Sequence, residues 1–252
     1  MRFDYPAESQ MGQLRNLWKA AFGDTDAFLD IFFSTAYSPR RCRCAMDGDR
    51  VAAALYWFDI SWGGLPCAYI YAVATDPQYR GQGLCRGLMA DTARILSDRG
   101  YEGALLVPQD EGLFTMYARM DYRPATQIRE EIRAAGDQTI AVRPLDADAY
   151  AAGRITLLPE NSVIQEGENL AFLSRVASFY EGEGFLAAVS REPEHLRILE
   201  YLGDETKLGN LIHTLGHREA TVRTPGAGKA FAMYLPMSQR CNRPEYFAFC
   251  FD

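Results

Sequence analysis

The residues whose types and spacing point most directly to chemistry are Arg80-Gly81-Gln82-Gly83-Leu84-Cys85. They follow Tyr71-Ala72-Val73-Ala74-Thr75, which reads as the end of a strand. They precede Leu84, Leu88, Ile95 and Leu96, whose spacing predicts a helix from Leu84 to about Arg99. A strand that turns through glycines onto a helix presents the first helical amides to the turn, where they have no intrahelical partner. The helix dipole is positive at that end. Glycine at 81 and 83 lets a ligand approach the backbone closely. Such a turn holds an anionic phosphate, preferably a pyrophosphate. Two other phosphate loops do not fit. A nucleotide P-loop requires Gly-Lys-Ser/Thr, whereas Leu84-Cys85 follows Gly83. A dinucleotide fingerprint requires a third glycine, whereas residue 86 is Arg, and no βαβ unit is expected around the segment.

Arg80-Gly81-Gln82-Gly83-Leu84-Cys85 resembles the acetyl-CoA loop of the GNAT superfamily, Q/R-x-x-G-x-G/A. Arg80 and Gly83 match it, and Cys85 stands where Gly or Ala is usual. The lead-in Thr75-Asp76-Pro77-Gln78-Tyr79 is also similar to the family's. In Tyr117-Ala118-Arg119-Met120-Asp121-Tyr122, Tyr117 followed five residues later by an aromatic resembles the family's Y-x-x-x-G-F, with Asp121 in place of Gly and Tyr122 in place of Phe. The resemblance covers roughly residues 1–130. It implies transfer of an acetyl group from acetyl-CoA, as cosubstrate, to a primary amine of a small molecule or peptide. It implies that the backbone of Val73, Ala74 and Thr75 bonds the pantetheine arm, that Arg80, Gly81, Gln82, Gly83, Leu84 and Cys85 hold the pyrophosphate, and that Tyr117 is the general acid. A phenol, with an ordinary pKa near ~10, can return a proton to a departing thiolate. Many members carry a Glu on the strand before the loop. Here the alternate positions are Cys67, Tyr69, Tyr71 and Val73, so no carboxylate base is evident. Asp59 and Glu111 are further candidates, and a water chain is another route. Tyr69 and Tyr71 either line an acceptor site or belong to the core. Two other functions stay open: an acetyl-CoA-binding sensor or scaffold without turnover, and transfer from a different acyl-CoA.

The elements that must position these residues are legible in outline. Helices are expected over 8–22 and from about 26 to 36, then strands at 41–46, 50–60 and 65–75. After the loop and helix come a short strand at 103–107, a short helix at 113–120 and a strand beginning at Tyr122. That order predicts an α/β fold of α+β type. Its GNAT-like mixed central sheet is flanked by helices and followed by a second, smaller α+β domain. The boundary is placed near 135, giving domains 1–135 and 136–252. In the second half the pattern predicts helices at 147–152, 170–179 and 205–215, and strands at 184–190 and 196–201. A hairpin is expected at Pro225–Gly228 and a last strand at Tyr246–Phe251. This half reads as a degenerate partial copy of the first, without a cofactor loop, shaping an acceptor pocket or a homodimer interface.

Composition narrows the partners. The net charge of −7 argues against a nucleic-acid binder, which needs basic charge to meet phosphate. No apolar run approaches the ~18 residues of a membrane helix. The N-terminus lacks a secretory pattern, so the expected location is cytoplasmic. There the six cysteines are expected to be reduced. Cys42 and Cys44 form C-x-C, read as two residues on one strand face. His213 and His217 lack the Glu of a zinc helix. No metal is expected.

Overall fold

In the computed structural model, which describes residues 1–191 and 195–250, local signals fix the first elements. Helix α1 (Met11–Phe22) ends at Gly23, whose φ of 75° lets its amide reach Lys19 O at 2.9 Å. Thr25 caps α2 (Asp26–Thr35), its hydroxyl accepting from the Phe28 amide at 3.2 Å. Strands β1 (Arg2–Asp4), β2 (Cys42–Asp47), β3 (Arg50–Trp62) and β4 (Leu65–Thr75) pair antiparallel in that order. Gly63 and Gly64, at φ 58° and 72°, form the tight turn from β3 to β4, which demands left-handed backbone at both positions. Helix α3 (Leu84–Asp98) then carries the chain over to β5 (Gly103–Leu106), which pairs parallel with β4. The expectation that no βαβ unit surrounds the glycine loop is therefore corrected: β4-α3-β5 is one. Arg86 still excludes the dinucleotide fingerprint. Helix α4 (Glu111–Ala118) starts two residues before its expected position, because Asp110 caps it by accepting from the Leu113 amide at 2.9 Å.

Strand alternation gives this sheet two apolar faces. Leu55, Trp57 and Ile70 pack with Leu88, Leu96 and Tyr117 on the α3–α4 side. Tyr56, Phe58 and Tyr71 meet Trp18 and Phe32 on the α1–α2 side, and Tyr69 packs on Phe58 and Tyr71.

The chain forms two compact units. One holds 1–123 and 233–242, the other 124–232 and the residues from 243 onward. The change at 123/124 precedes the expected boundary near 135. The return of 233–242 carries no sequence mark. In this return Met233–Pro236 pairs antiparallel with β5. Gly103, at the start of β5, leaves the room it needs: a Cβ there would lie 2.5 Å from Cys241 Sγ and 2.9 Å from the Trp62 ring.

The second unit contains β6 (Arg123–Ala134), β7 (Val142–Leu145), α5 (Ala147–Leu157), the two-residue β8 (Ile164–Gln165), α6 (Gly167–Val176), β9 (Ala177–Gly182), β10 (Phe185–Ser190), β11 (Arg197–Gly203), α7 (Leu208–Thr214), β12 (Glu219–Pro225) and the start of β13 (Lys229–Pro236). Its strands run β7-β9-β10-β11-β12-β6, with β11 and β12 parallel and the other neighbours antiparallel. The strands of the first unit follow the same scheme, β1-β2-β3-β4-β5 and then the end of β13, with β4 and β5 parallel and the other neighbours antiparallel.

Three local expectations are corrected. The helix expected through Phe179 stops at Val176, and Ala177–Gly182 is a strand, since a short apolar run does not distinguish the two. Pro225–Gly228 is not a hairpin, because β12 pairs along its length with β6 and not with β13. A Cβ at Gly228 would sit 2.3 Å from Ile128 O, so this crossing loop needs glycine. Tyr246–Cys250 forms no strand; it is buried, and Phe251 lies outside the described residues.

Glu200, on β11, is fully buried. Arg154 donates to it from Nε at 2.6 Å and Nη2 at 2.9 Å, and Tyr150 OH at 2.7 Å. Removing one partner of a buried pair strands the other charge without water. Glu200→Gln should therefore lower stability by about 3–5 kcal/mol in urea unfolding, whereas Glu131→Gln, at an exposed pair, should change it by under about 1 kcal/mol.

Candidate active site

The site begins where two parallel strands part. β4 and β5 pair at Cys67–Gly103, Ala68–Ala104 and Tyr69–Leu105. Beyond Tyr69, β4 stays on β3 as far as Thr75–Ala53. Among the described residues β5 offers Ile70–Thr75 no pairing. At the parting β4 carries an extra residue: Ala54 faces Ala74, but Tyr56 faces Tyr71. Ala72, inside this bulge, has φ 48°. Left-handed backbone costs a non-glycine residue about 1–2 kcal/mol. Such local strain clusters at functional sites. Val73, Ala74 and Thr75 follow, with main-chain groups on the β5 side available to a ligand.

The lead-in to the loop is pinned. Asp76 caps the turn Pro77–Tyr79, accepting from the Gln78 amide at 2.9 Å. Arg50 Nη2 donates to the same carboxylate at 2.8 Å. The Gln78 amide and the Arg50 guanidinium hold the Asp76 carboxyl below the usual carboxylate range. Tyr79 OH donates to Asp47 at 2.8 Å. Arg80 Nε donates to Thr75 O at 3.2 Å, so this side chain braces the turn. Gly81 and Gly83 both have φ 76°, and a Cβ at either would meet nothing within 4 Å. The cradle is open, and it is formed by backbone conformation. Leu84 is buried and seats the start of α3, a helix of 15 residues. The first amide returned to the chain is Gly87, donating to Gly83 O at 3.0 Å. The amides of Leu84, Cys85 and Arg86 precede it and face outward with the positive end of the dipole. A diphosphate group fits these features.

Tyr117 lies on α4 in the core that also holds Ile70, Leu88 and Met89; it is 6% exposed. Its ring meets that of Tyr122 at 5.9 Å. Burial, and secondarily the Cys85 thiol, push its phenol above the ordinary value. Burial likewise raises the half-buried Cys85. Asp121 adopts φ 66°, which explains why glycine suits that position and why Asp, tolerant of this region, can replace it.

The candidate bases stand apart from the bulge. Asp59 pairs with Ala68, ahead of the parting, and accepts from Arg41 at 3.2 Å and from Tyr101 OH. Glu111 is exposed in the first turn of α4. Cys42 and Cys44 share one face of β2, their sulfurs 3.9 Å apart. His213 ends α7, and His217 lies beyond Gly216 at φ 81°. Among the described residues no group of three His, Cys, Asp or Glu could hold a metal, and no helix is long and apolar enough to cross a membrane. Sequence reasoning missed the bulge, since Ala72 gives no signal. It also missed the Arg50–Asp76 and Tyr79–Asp47 contacts, for which Asp76-Pro77 is a partial cue as a turn cap.

A family model described as an acetyltransferase (GNAT) domain matches residues 2–125. No curated protein sequence matches the chain. Among solved structures, a GCN5-related N-acetyltransferase from Anabaena variabilis is 16% identical with TM-score 0.72, covering 92% of this chain and 72% of that one. One from Kribbella flavida is 18% identical with TM-score 0.70, covering 92% and 70%. A tandem GNAT protein from the clavulanic acid biosynthesis pathway is 12% identical with TM-score 0.59, covering 93% and 98%. At these identities the likeness is one of fold.

Burial raises Tyr117 and Tyr122 above their unfolded value near ~10. A raised folded pKa contributes stability that is present below the unfolded pKa and lost as pH rises past it. The phenolate absorbance of these two residues should therefore appear only with unfolding above about pH 10. Replacing both with Phe should reduce the unfolding-linked step in an alkaline titration.

Proposed function

We propose that the protein, whose residues 2–125 match a GNAT acetyltransferase domain, transfers an acetyl group from acetyl-CoA to a primary amine. The observation that carries this reading is the sequence of bulge, parted strand and open glycine cradle, which runs from Ala72 to Cys85 without interruption. Bound acetyl-CoA supplies an acetyl thioester. The chain's own residues then have separate tasks. The backbone of Val73, Ala74 and Thr75 takes the place of a missing strand for the amides of the pantetheine arm. The amides from Arg80 to Cys85 hold the pyrophosphate, and Arg80 adds charge while bracing Thr75. Tyr117 is held protonated by its burial and donates that proton to the departing thiolate. No carboxylate of the first unit is a base in this proposal; the amine loses its proton to water.

The second unit repeats the strand scheme but has no glycine loop. Asp204 caps the turn after β11, and α7 has only seven residues. We read it as a second copy of the fold that binds no acyl-CoA.

Thermal unfolding with and without acetyl-CoA tests the reading. A ligand at a hundred times its Kd stabilises by about 2.7 kcal/mol. The wild-type protein should show that shift, and Gly83→Glu, which places a carboxylate in the cradle, should show little. No shift in folded wild-type protein sinks the proposal. Tyr117→Phe should keep the shift while losing roughly 100-fold in kcat with any accepted amine. Binding without turnover of any amine would identify a sensor instead, and faster release of CoA from a longer thioester would identify another donor.

A further inference from the structure

Tyr71 immediately precedes the bulge at Ala72, and its side chain lies on the α1–α2 face of the sheet. Its ring centroid is 5.3 Å from Phe58, 5.6 Å from Trp18, 5.7 Å from Tyr69 and 6.0 Å from Phe32. Trp18 extends this cluster to Phe22 at 6.0 Å and Phe33 at 6.2 Å. Tyr71 and Phe33 are half-buried and Phe22 is 36% exposed, so the aromatic wall has an open edge that runs up to the bulge. Tyr117 and Cys85 pack with the core on the other face. The donor's leaving group is thus served from one face of the sheet, and the aromatic wall adjoins the reacting position from the other.

Resting on the acetyl-transfer reading above, we propose that the acceptor is an arylalkylamine whose ring packs on Tyr71 and whose amine reaches past it to the bulge. Three features favour this class. The open edge, formed by Tyr71, Phe33 and Phe22, offers flat aromatic area, which suits a ring better than a sugar or a polyamine. Aromatic faces attract an ammonium group. Partial desolvation against these rings favours the neutral, nucleophilic amine while the open edge keeps it within reach of water. That accounts for alternate β4 positions Cys67, Tyr69, Tyr71 and Val73 without a carboxylate. In the transfer, the amine nitrogen forms the bond to the acetyl carbon as the carbon–sulfur bond breaks. The amine's proton goes to water, the thiolate takes the proton of Tyr117, and Tyr117 regains a proton from water.

The test is CoA release from acetyl-CoA with phenethylamine and tryptamine against n-hexylamine and spermidine. The arylalkylamines should have kcat/KM higher by at least about 10-fold. Tyr71→Ala should erase most of that preference, mainly through KM, while Tyr71→Phe keeps it. Phe33→Ala, at the rim, should reduce it in part. Stabilisation by acetyl-CoA should be unchanged in all three variants. Equal or better turnover of the aliphatic amines, turnover of none of the four, or a preference untouched by Tyr71→Ala would overturn this proposal. Absence of acetyl-CoA stabilisation in the wild type would instead remove the acetyl-transfer reading, and this one with it.

Discussion

Everything at the candidate site depends on the parting of β4 from β5. Two parallel strands joined by a helix normally stay paired, because their main-chain groups need partners. Here pairing ends after Tyr69–Leu105, and β4 continues with one residue too many against β3. The bulge re-aims the strand, and among the described residues β5 pairs with β4 no farther than Tyr69. The glycine cradle at the start of α3 lies a few residues farther along the chain, past the turn Pro77–Tyr79. Backbone groups on β4 and at the α3 terminus are therefore offered in one continuous run, and side chains contribute little to it.

The second unit shows what happens to the same device without a cradle. Among the described residues β11 and β12 pair at Arg197–Thr221 and Ile198–Val222. β11 also carries an extra residue, Leu199, against β10. Beyond that point protein groups meet the parted strands. Glu200 is held by Arg154 and Tyr150, Phe249 packs in one cluster with Leu199, and Arg223 Nη1 donates to Cys250 O at 3.3 Å.

Much of this was legible in the sequence. Gly81 and Gly83 announced the cradle, because left-handed backbone with nothing around it favours glycine. Gly23 marked the end of the first helix by its tolerance of left-handed backbone, and Asp24 or Thr25 marked the start of the second by side-chain capping. Gly63-Gly64 marked the turn that sets the β3–β4 register. The bulge was not legible, since alanine at φ 48° is imposed by the neighbouring pairings and not by its own propensity. The return of Met233–Pro236 to β5 was not legible either. An apolar strand does not state its partner, and the glycine at 103 that admits Cys241 and Trp62 reads in sequence only as a strand start. Pro225–Gly228 misled for the same reason: glycines mark a change of direction but not which strand follows.

The most direct test of the central claim, that one parted strand and one cradle hold acyl-CoA, is calorimetric titration of the full chain with acetyl-CoA. The account predicts saturable binding of one equivalent per chain. Two equivalents would mean that the second unit also holds the ligand, and no binding by the folded protein would mean that the bulge and the glycine turn are structural alone.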